Sequence, residues 1–285
     1  MTGLVFVANL LVSVLALGIV ATDAYPNRER LAFLAAAVPY GVLLEQLVIL
    51  RFDRYEYPVE QFLLTVGDVP VVIGIGWAAI IYAGYRLAAT MGLSGAARSA
   101  FVGLFALHVD LAIDAVAIRA GFWTWTPPGA WFGVPLGNFF GWFAVATLFA
   151  AGWSTVTERL ERPLLGGALT VGLAVGGLVV ALEIWSRIAT TVPRAALVLG
   201  TVVAVALALV LADDGHLARP SWRVQAVPLL FHGYYLALLV ALGIARRTPA
   251  LLVVSLSMLS VSVVLHRPRV LGTTDAGARG GVWAD

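Results

Sequence analysis

The sequence contains no cysteine, which excludes disulfides, thiolate metal sites and cysteine nucleophiles. Lysine is absent as well, because all 18 Lys and Arg residues are arginine. A retinal Schiff base needs a lysine amine, so that class of pigment protein is excluded too. Charge is scarce: Asp, Glu, Lys and Arg make up 12% of the chain, against about a quarter in a typical soluble domain. The net charge of +2 is too small, and the arginines too dispersed, for a nucleic-acid partner. They are placed instead as anchors at a membrane–water boundary.

What the chain has in abundance is apolar length. Of its 285 residues 61% are hydrophobic, and the mean hydropathy is +0.94. A spanning helix needs about 20 mostly apolar residues, and such runs recur. The spans are expected at 4–22, 31–50, 62–86, 98–119, 138–157, 164–186, 195–212, 225–245 and 249–265. The expected fold class is therefore all-α, a polytopic helical membrane protein of eight or nine transmembrane helices in one bundle. Residues 1–266 form that integral membrane domain, and 267–285, small, polar and Gly-rich, form a flexible C-terminal tail. The first apolar run has no positive n-region and no clear cleavage site, so it is expected to be a span rather than a removed signal. With nine spans and the N-terminus outside, 11 arginines face the cytoplasm against 7 opposite, a weak bias. The expected location is the cell membrane, multi-pass. Ala168, Gly172 and Gly176, four residues apart, are expected to let a neighbouring helix approach closely.

A carboxylate in the middle of a spanning helix costs on the order of 2.5–3.5 kcal/mol, so each one asks for a reason. Glu183 has Arg187 one turn later and is expected to form a structural pair. Glu45 either snorkels or hydrogen-bonds to another helix. Asp68, two residues before Pro70, is placed to satisfy backbone groups near that break. Asp110 and Asp114 are different, lying at i, i+4 on one helix face with no arginine within a turn on that face. Two carboxylates so close in a low-dielectric site cannot both ionise cheaply, which makes them a shared-proton pair suited to acid–base chemistry. A pair merely hydrogen-bonded to other helices, or lining a wet cavity, is the structural alternative. Mg²⁺ held by the pair on a pyrophosphate is a third. His108 lies about 200° round the helix from Asp110, so these three cannot chelate one ion, and ADDGH (212–216) is a poor second acidic motif because it falls in a loop.

After the pair comes FWTWTPPGAWFGVPLGNFFGW. Trp123, Trp125, Trp131 and Trp142 are four of the chain's 9 tryptophans. Pro127, Pro128 and Pro135 forbid a continuous helix here. An interfacial aromatic belt accounts for this density less well than a folded, partly re-entrant connection walling a pocket. Asn138, opening the next helix, offers both a donor and an acceptor.

The pattern D-x3-D, then G-F-W-T-W, then W-F-G-V-P-L-G-N-F-F-G-W, resembles the carotenoid-biosynthesis membrane family that contains the carotenoid 1,2-hydratases (CruF-like). The nearest branch is bisanhydrobacterioruberin hydratase, from salt-loving archaea that make C50 carotenoids. The resemblance is strongest over 105–145 and extends across 30–245. YPVEQ (57–61) is similar to the Pro-x-Glu-Glu motif of membrane-integral lycopene cyclases, but Gln61 stands where the second acid belongs. The resemblance implies a cofactor-independent hydro-lyase that adds water across the terminal C=C of an acyclic polyene drawn laterally from the bilayer. It points to Asp110 and Asp114 as the acid–base pair and to Glu60 as a third catalytic carboxylate. His108, Trp123, Trp125, Asn138 and Trp142 are the expected substrate-binding and water-orienting groups, with no metal and no cofactor. Expected partners are the lipid membrane, the carotenoid itself and, in a complex, the pathway's prenyltransferase or desaturase. A carotenoid cyclase and a non-enzymatic carotenoid-binding protein are the rival readings.

Overall fold

The apolar runs fold into helices, and the breaks fall where Pro, Gly and charge interrupt them. The computed structural model describes residues 2–212 and 220–265; the C-terminal tail and most of the ADDGH segment lie outside those residues. The helices are α1 (Thr2–Ala24), α2 (Arg28–Phe52), α3 (Val71–Thr90), α4 (Gly95–Ala120), α5 (Leu136–Thr157), α6 (Pro163–Ile188), α7 (Arg194–Ala212), α8 (Trp222–Ala241), the single turn α9 (Ile244–Arg247) and α10 (Pro249–Leu265). Among the described residues seven are long and apolar enough to cross a membrane. The chain is a multi-pass membrane protein built as a helical bundle.

The third span differs from expectation. It starts at Val71, not at residue 62. Residues 53–70 instead form β1 (Tyr55–Glu56), a 3-10 turn (Val59–Gln61), β2 (Thr65–Val66) and β3 (Val69–Pro70). Pro58 and Pro70 disfavour helix in the residues before them. The backbone of β1 also finds a partner far along the chain in β4 (Thr124–Trp125), with Tyr55 opposite Trp125 and Glu56 opposite Thr124. A hydropathy window cannot register that pairing.

Two close helix crossings set the frame around the cavity described below. Where α2 passes α3, a Cβ added to Gly41 would lie 2.8 Å from the Cα of Gly74. One turn on, this contact brings Glu45 against Trp77. Where α4 passes α5, a Cβ on Gly103 would lie 2.7 Å from the Phe143 ring and 2.8 Å from its carbonyl oxygen. That approach carries Asp110 and Asp114 towards the start of α5. Deeper in the bundle, the buried rings of Phe33, Phe149 and Trp153 pack edge to face, with centroids 5.0–5.1 Å apart. At the end of the bundle away from the strands, a buried Asp23–Arg86 pair at 3.1 Å joins α1 to α3, and the Tyr82 hydroxyl donates to the same Asp23 oxygen at 2.8 Å.

The small-residue stripe of α6 faces outward. Ala168, Gly172 and Gly176 are exposed, and no atom of the described residues lies within 4 Å of a Cβ added to either glycine. The helix packs inward through the neighbouring positions Gly167 and Gly177, whose added Cβ atoms would meet Ala36 at 3.0 Å and Leu148 at 3.1 Å. Periodicity alone did not say which of its two small-residue faces was inside. Glu183 pairs with Arg187 at 3.2 Å as expected and also meets Arg51 at 3.4 Å. Asp68 is exposed and exchanges two bonds with the Gln46 side chain, at 2.8 and 2.9 Å.

Candidate active site

A cavity of about 740 Å³ opens at the strand end of the bundle, within the range of about 300–1,000 Å³ usual for small-molecule sites. Helices α2, α3, α4, α5, α6 and α8 and the 121–135 connection all contribute to its lining. Its walls are largely aromatic and aliphatic, its buried carboxylates fall in two centres, and the exposed Arg54 and Arg194 also contribute to the lining.

The first polar centre is the aspartate pair. Asp110 is fully buried and Asp114 is 2% exposed. Nδ2 of Asn138 donates to Oδ2 of Asp110 at 2.9 Å and to Oδ2 of Asp114 at 2.7 Å. One amide thus spends both N–H groups holding the two carboxylates together. The indole Nε1 of Trp123 donates to Oδ1 of Asp114 at 2.6 Å. Among the described residues, Oδ1 of Asp110 has no hydrogen-bond partner. Asp114 lines the cavity, while Asp110 lies behind it. No arginine comes within ion-pair distance of either carboxylate among the described residues; Arg119 donates to the carbonyls of Ala115 and Phe132 instead.

The 121–135 connection folds over this pair. Pairing of β4 with β1 places Trp125 on Tyr55, with centroids 4.6 Å apart, and Trp123 near Tyr57 at 5.9 Å. Nε1 of Trp131 donates to the Leu111 carbonyl at 3.2 Å, pinning the connection to α4. The Trp-rich stretch therefore walls a cavity, as its composition predicted. Trp142 joins from α5, its ring 4.2 Å from that of Trp77.

Glu45 forms the second polar centre, one that sequence reasoning left undecided. It is 9% exposed and lines the cavity from α2. Trp77 Nε1 donates to its Oε1 at 2.9 Å and the Tyr57 hydroxyl to its Oε2 at 3.0 Å, and the Tyr55 hydroxyl donates to the same Oε2. Tyr55 and Tyr57 lie in the loop outside the spans. Burial, with the charge of Glu45 next in size, pushes both hydroxyls well above their ordinary pKa, and Asp114 adds a smaller push to each. These tyrosines thus sense both carboxylate centres. The sequence carried only a weak signal for this centre, a carboxylate inside an apolar run with no arginine one turn away.

Two expected site residues lie elsewhere. Glu60 sits exposed on the 3-10 turn, outside the cavity. Its placement follows from the loop that replaced the first turns of the expected third span. His108 faces α8 and α10, as its angle from Asp110 requires. Its Nε2 meets the Ser262 hydroxyl at 2.9 Å, Nδ1 meets the Phe105 carbonyl, and its ring lies 5.5 Å from that of His232. Of the expected site residues, Asp110, Asp114, Trp123, Trp125, Asn138 and Trp142 do come together.

Against known proteins, the family model described as "Carotenoid biosynthesis protein" matches residues 5–212. No curated protein and no solved structure gives a significant match. The matched region contains the aspartate pair, Glu45 and the whole aromatic connection. The chain belongs to the carotenoid biosynthesis protein family.

Proposed function

We propose that this member of the carotenoid biosynthesis family is a cofactor-independent hydratase of the cell membrane. Its reaction adds water across the terminal C1=C2 bond of an acyclic carotenoid, of the C50 class, to give a tertiary alcohol, as in the conversion of bisanhydrobacterioruberin to bacterioruberin. The observation that carries this reading is the buried pair Asp110/Asp114, bridged by one amide, with Asp114 on the wall of a cavity that Trp123, Trp125 and Trp142 also line. Alkene hydration needs a strong local acid, a dry wall that tolerates positive charge and a base for the attacking water. The pair shares one proton across two carboxylates. That proton passes to C2, the π bond breaks, and a tertiary cation forms at C1. The faces of Trp123, Trp125 and Trp142 stabilise the cation by cation–π attraction and exclude stray nucleophiles. Water adds to C1 and gives up a proton to a carboxylate. The long polyene reaches the site laterally from the bilayer.

The test is expression of the chain in a host that accumulates an acyclic C50 or C40 carotenoid, followed by pigment mass analysis. The expected pigment is heavier by one water per modified end group, and Asp114→Asn lowers its yield about 100–10,000-fold, the usual weight of general acid–base catalysis. A pigment of unchanged mass with cyclised ends identifies a cyclase instead. Unchanged pigment contradicts the hydration reading itself, whereas hydroxylated pigment that persists in the Asp110→Asn/Asp114→Asn double variant removes only the aspartates from the chemistry.

A further inference from the structure

Resting on the hydratase reading, we infer that Glu45 is a second catalytic carboxylate of the same cavity, the base that deprotonates the attacking water, while Asp114 delivers the proton to the alkene. The two carboxylates enter the cavity from different helices, α2 and α4, each of which packs against α3. A proton donor and a water-activating base on separate walls leave room for the reacting carbon and for water between them. The same spatial logic separates acid from base wherever water is activated by one carboxyl group and the leaving or accepting atom is served by another. The aspartates, tied to each other through Asn138, cannot offer that separation by themselves.

The bonding of Glu45 fits the role. Among the described residues its three partners are neutral donors, two phenols and one indole, and no cation stands at ion-pair distance. A glutamate that served only to tie the 53–57 segment to α2 would be a costly choice inside a span, since a neutral glutamine could hold the same three groups, accepting from Trp77 through its carbonyl oxygen and donating to the phenol oxygens through its amide. What glutamine cannot do is take a proton. Tyr55 and Tyr57 act as positioning residues. They fix the carboxylate on α2 while their rings pack on Trp125 and Trp123, the second of which is bonded to Asp114.

The proton count closes. Asp114 loses one proton to C2 and Glu45 gains one from water as the C1–O bond forms. The resting state returns when that proton passes back to the aspartates through water in the cavity, so one water is consumed per turnover and nothing else.

If cation formation and water capture depend on different carboxylates, they can be separated in deuterated water. Purified protein in detergent is given an acyclic carotenoid, and both the product and the recovered substrate are analysed by mass and NMR. Wild type is expected to yield alcohol carrying deuterium at C2. Glu45→Gln is expected to lose hydration about 100–10,000-fold yet still exchange deuterium into the terminal alkene, because the cation forms and collapses back by proton loss. Asp114→Asn is expected to lose both. Tyr57→Phe, which only loosens Glu45, lowers hydration about tenfold and raises the ratio of exchange to hydration. Hydration by Glu45→Gln within about threefold of wild type overturns the inference. So does loss of exchange together with hydration in Glu45→Gln, or, should that variant not fold, an unchanged exchange-to-hydration ratio in Tyr57→Phe. Wild type that neither hydrates nor exchanges contradicts the hydratase reading itself, which is a different outcome.

Discussion

Asn138 holds the aspartate pair with a single amide, so the pair's geometry depends on one side chain. Asn138→Leu leaves two buried carboxylates without that donor, and losing a buried hydrogen-bond partner costs about 1–3 kcal/mol per group. A lowered thermal midpoint in detergent and at least a tenfold fall in hydrated pigment are expected. Glu60→Gln provides the contrast: exposed and outside the cavity, it should change neither stability nor pigment, as pigment chromatography and a melting curve would show. The phenols of Tyr55 and Tyr57 yield a pH prediction. With folded pKa values well above the ordinary 10.0, their contribution to stability is complete below pH 10. It falls as pH rises beyond that, because unfolded phenols ionise first. The melting temperature should therefore decline above about pH 10, and less steeply in Tyr55→Phe/Tyr57→Phe. At this scale the sequence was legible where chemistry and spacing coincided, as in Asp110, Asp114 and Asn138. Glu45 was not legible, because its partners Tyr55 and Tyr57 sit in a loop and Trp77 lies on another helix.

Among the elements, the α4–α5 crossing decides whether the site assembles. A side chain at Gly103 would strike Phe143 and its carbonyl, and overpacking of this kind costs about 1–3 kcal/mol. Gly103→Val is expected to lower the unfolding midpoint and to reduce pigment hydration by more than the stability loss explains, since Asp110 and Asn138 are carried by the two helices it pushes apart. Pigment yield normalised to folded protein checks this. Helices were legible from hydropathy because each carries its own apolar run. The segment 53–70 was not, because Tyr55 and Glu56 take their backbone partners from Thr124 and Trp125, far along the chain. The outward stripe of α6 makes the same point: a small-residue period marks a face that can pack closely, but the packing partner decides whether it does.

For the molecule as a whole, nearly every group of the candidate site gathers at one end of the bundle, where α2, α4 and α6 end and α3 and α5 begin. A membrane bundle with a cavity of about 740 Å³ lined by tryptophans and by the carboxylates of Glu45 and Asp114, with Asp110 buried behind them, suits chemistry on the end of a long apolar substrate whose remainder stays in lipid. The most direct test of hydration is the source of the new oxygen. Purified protein in detergent, given an acyclic C50 or C40 carotenoid and heavy-oxygen water without air or added cofactor, should form a tertiary alcohol that carries the heavy isotope. Recovery of substrate alone, or of a product isomeric with it and free of the label, would contradict the account.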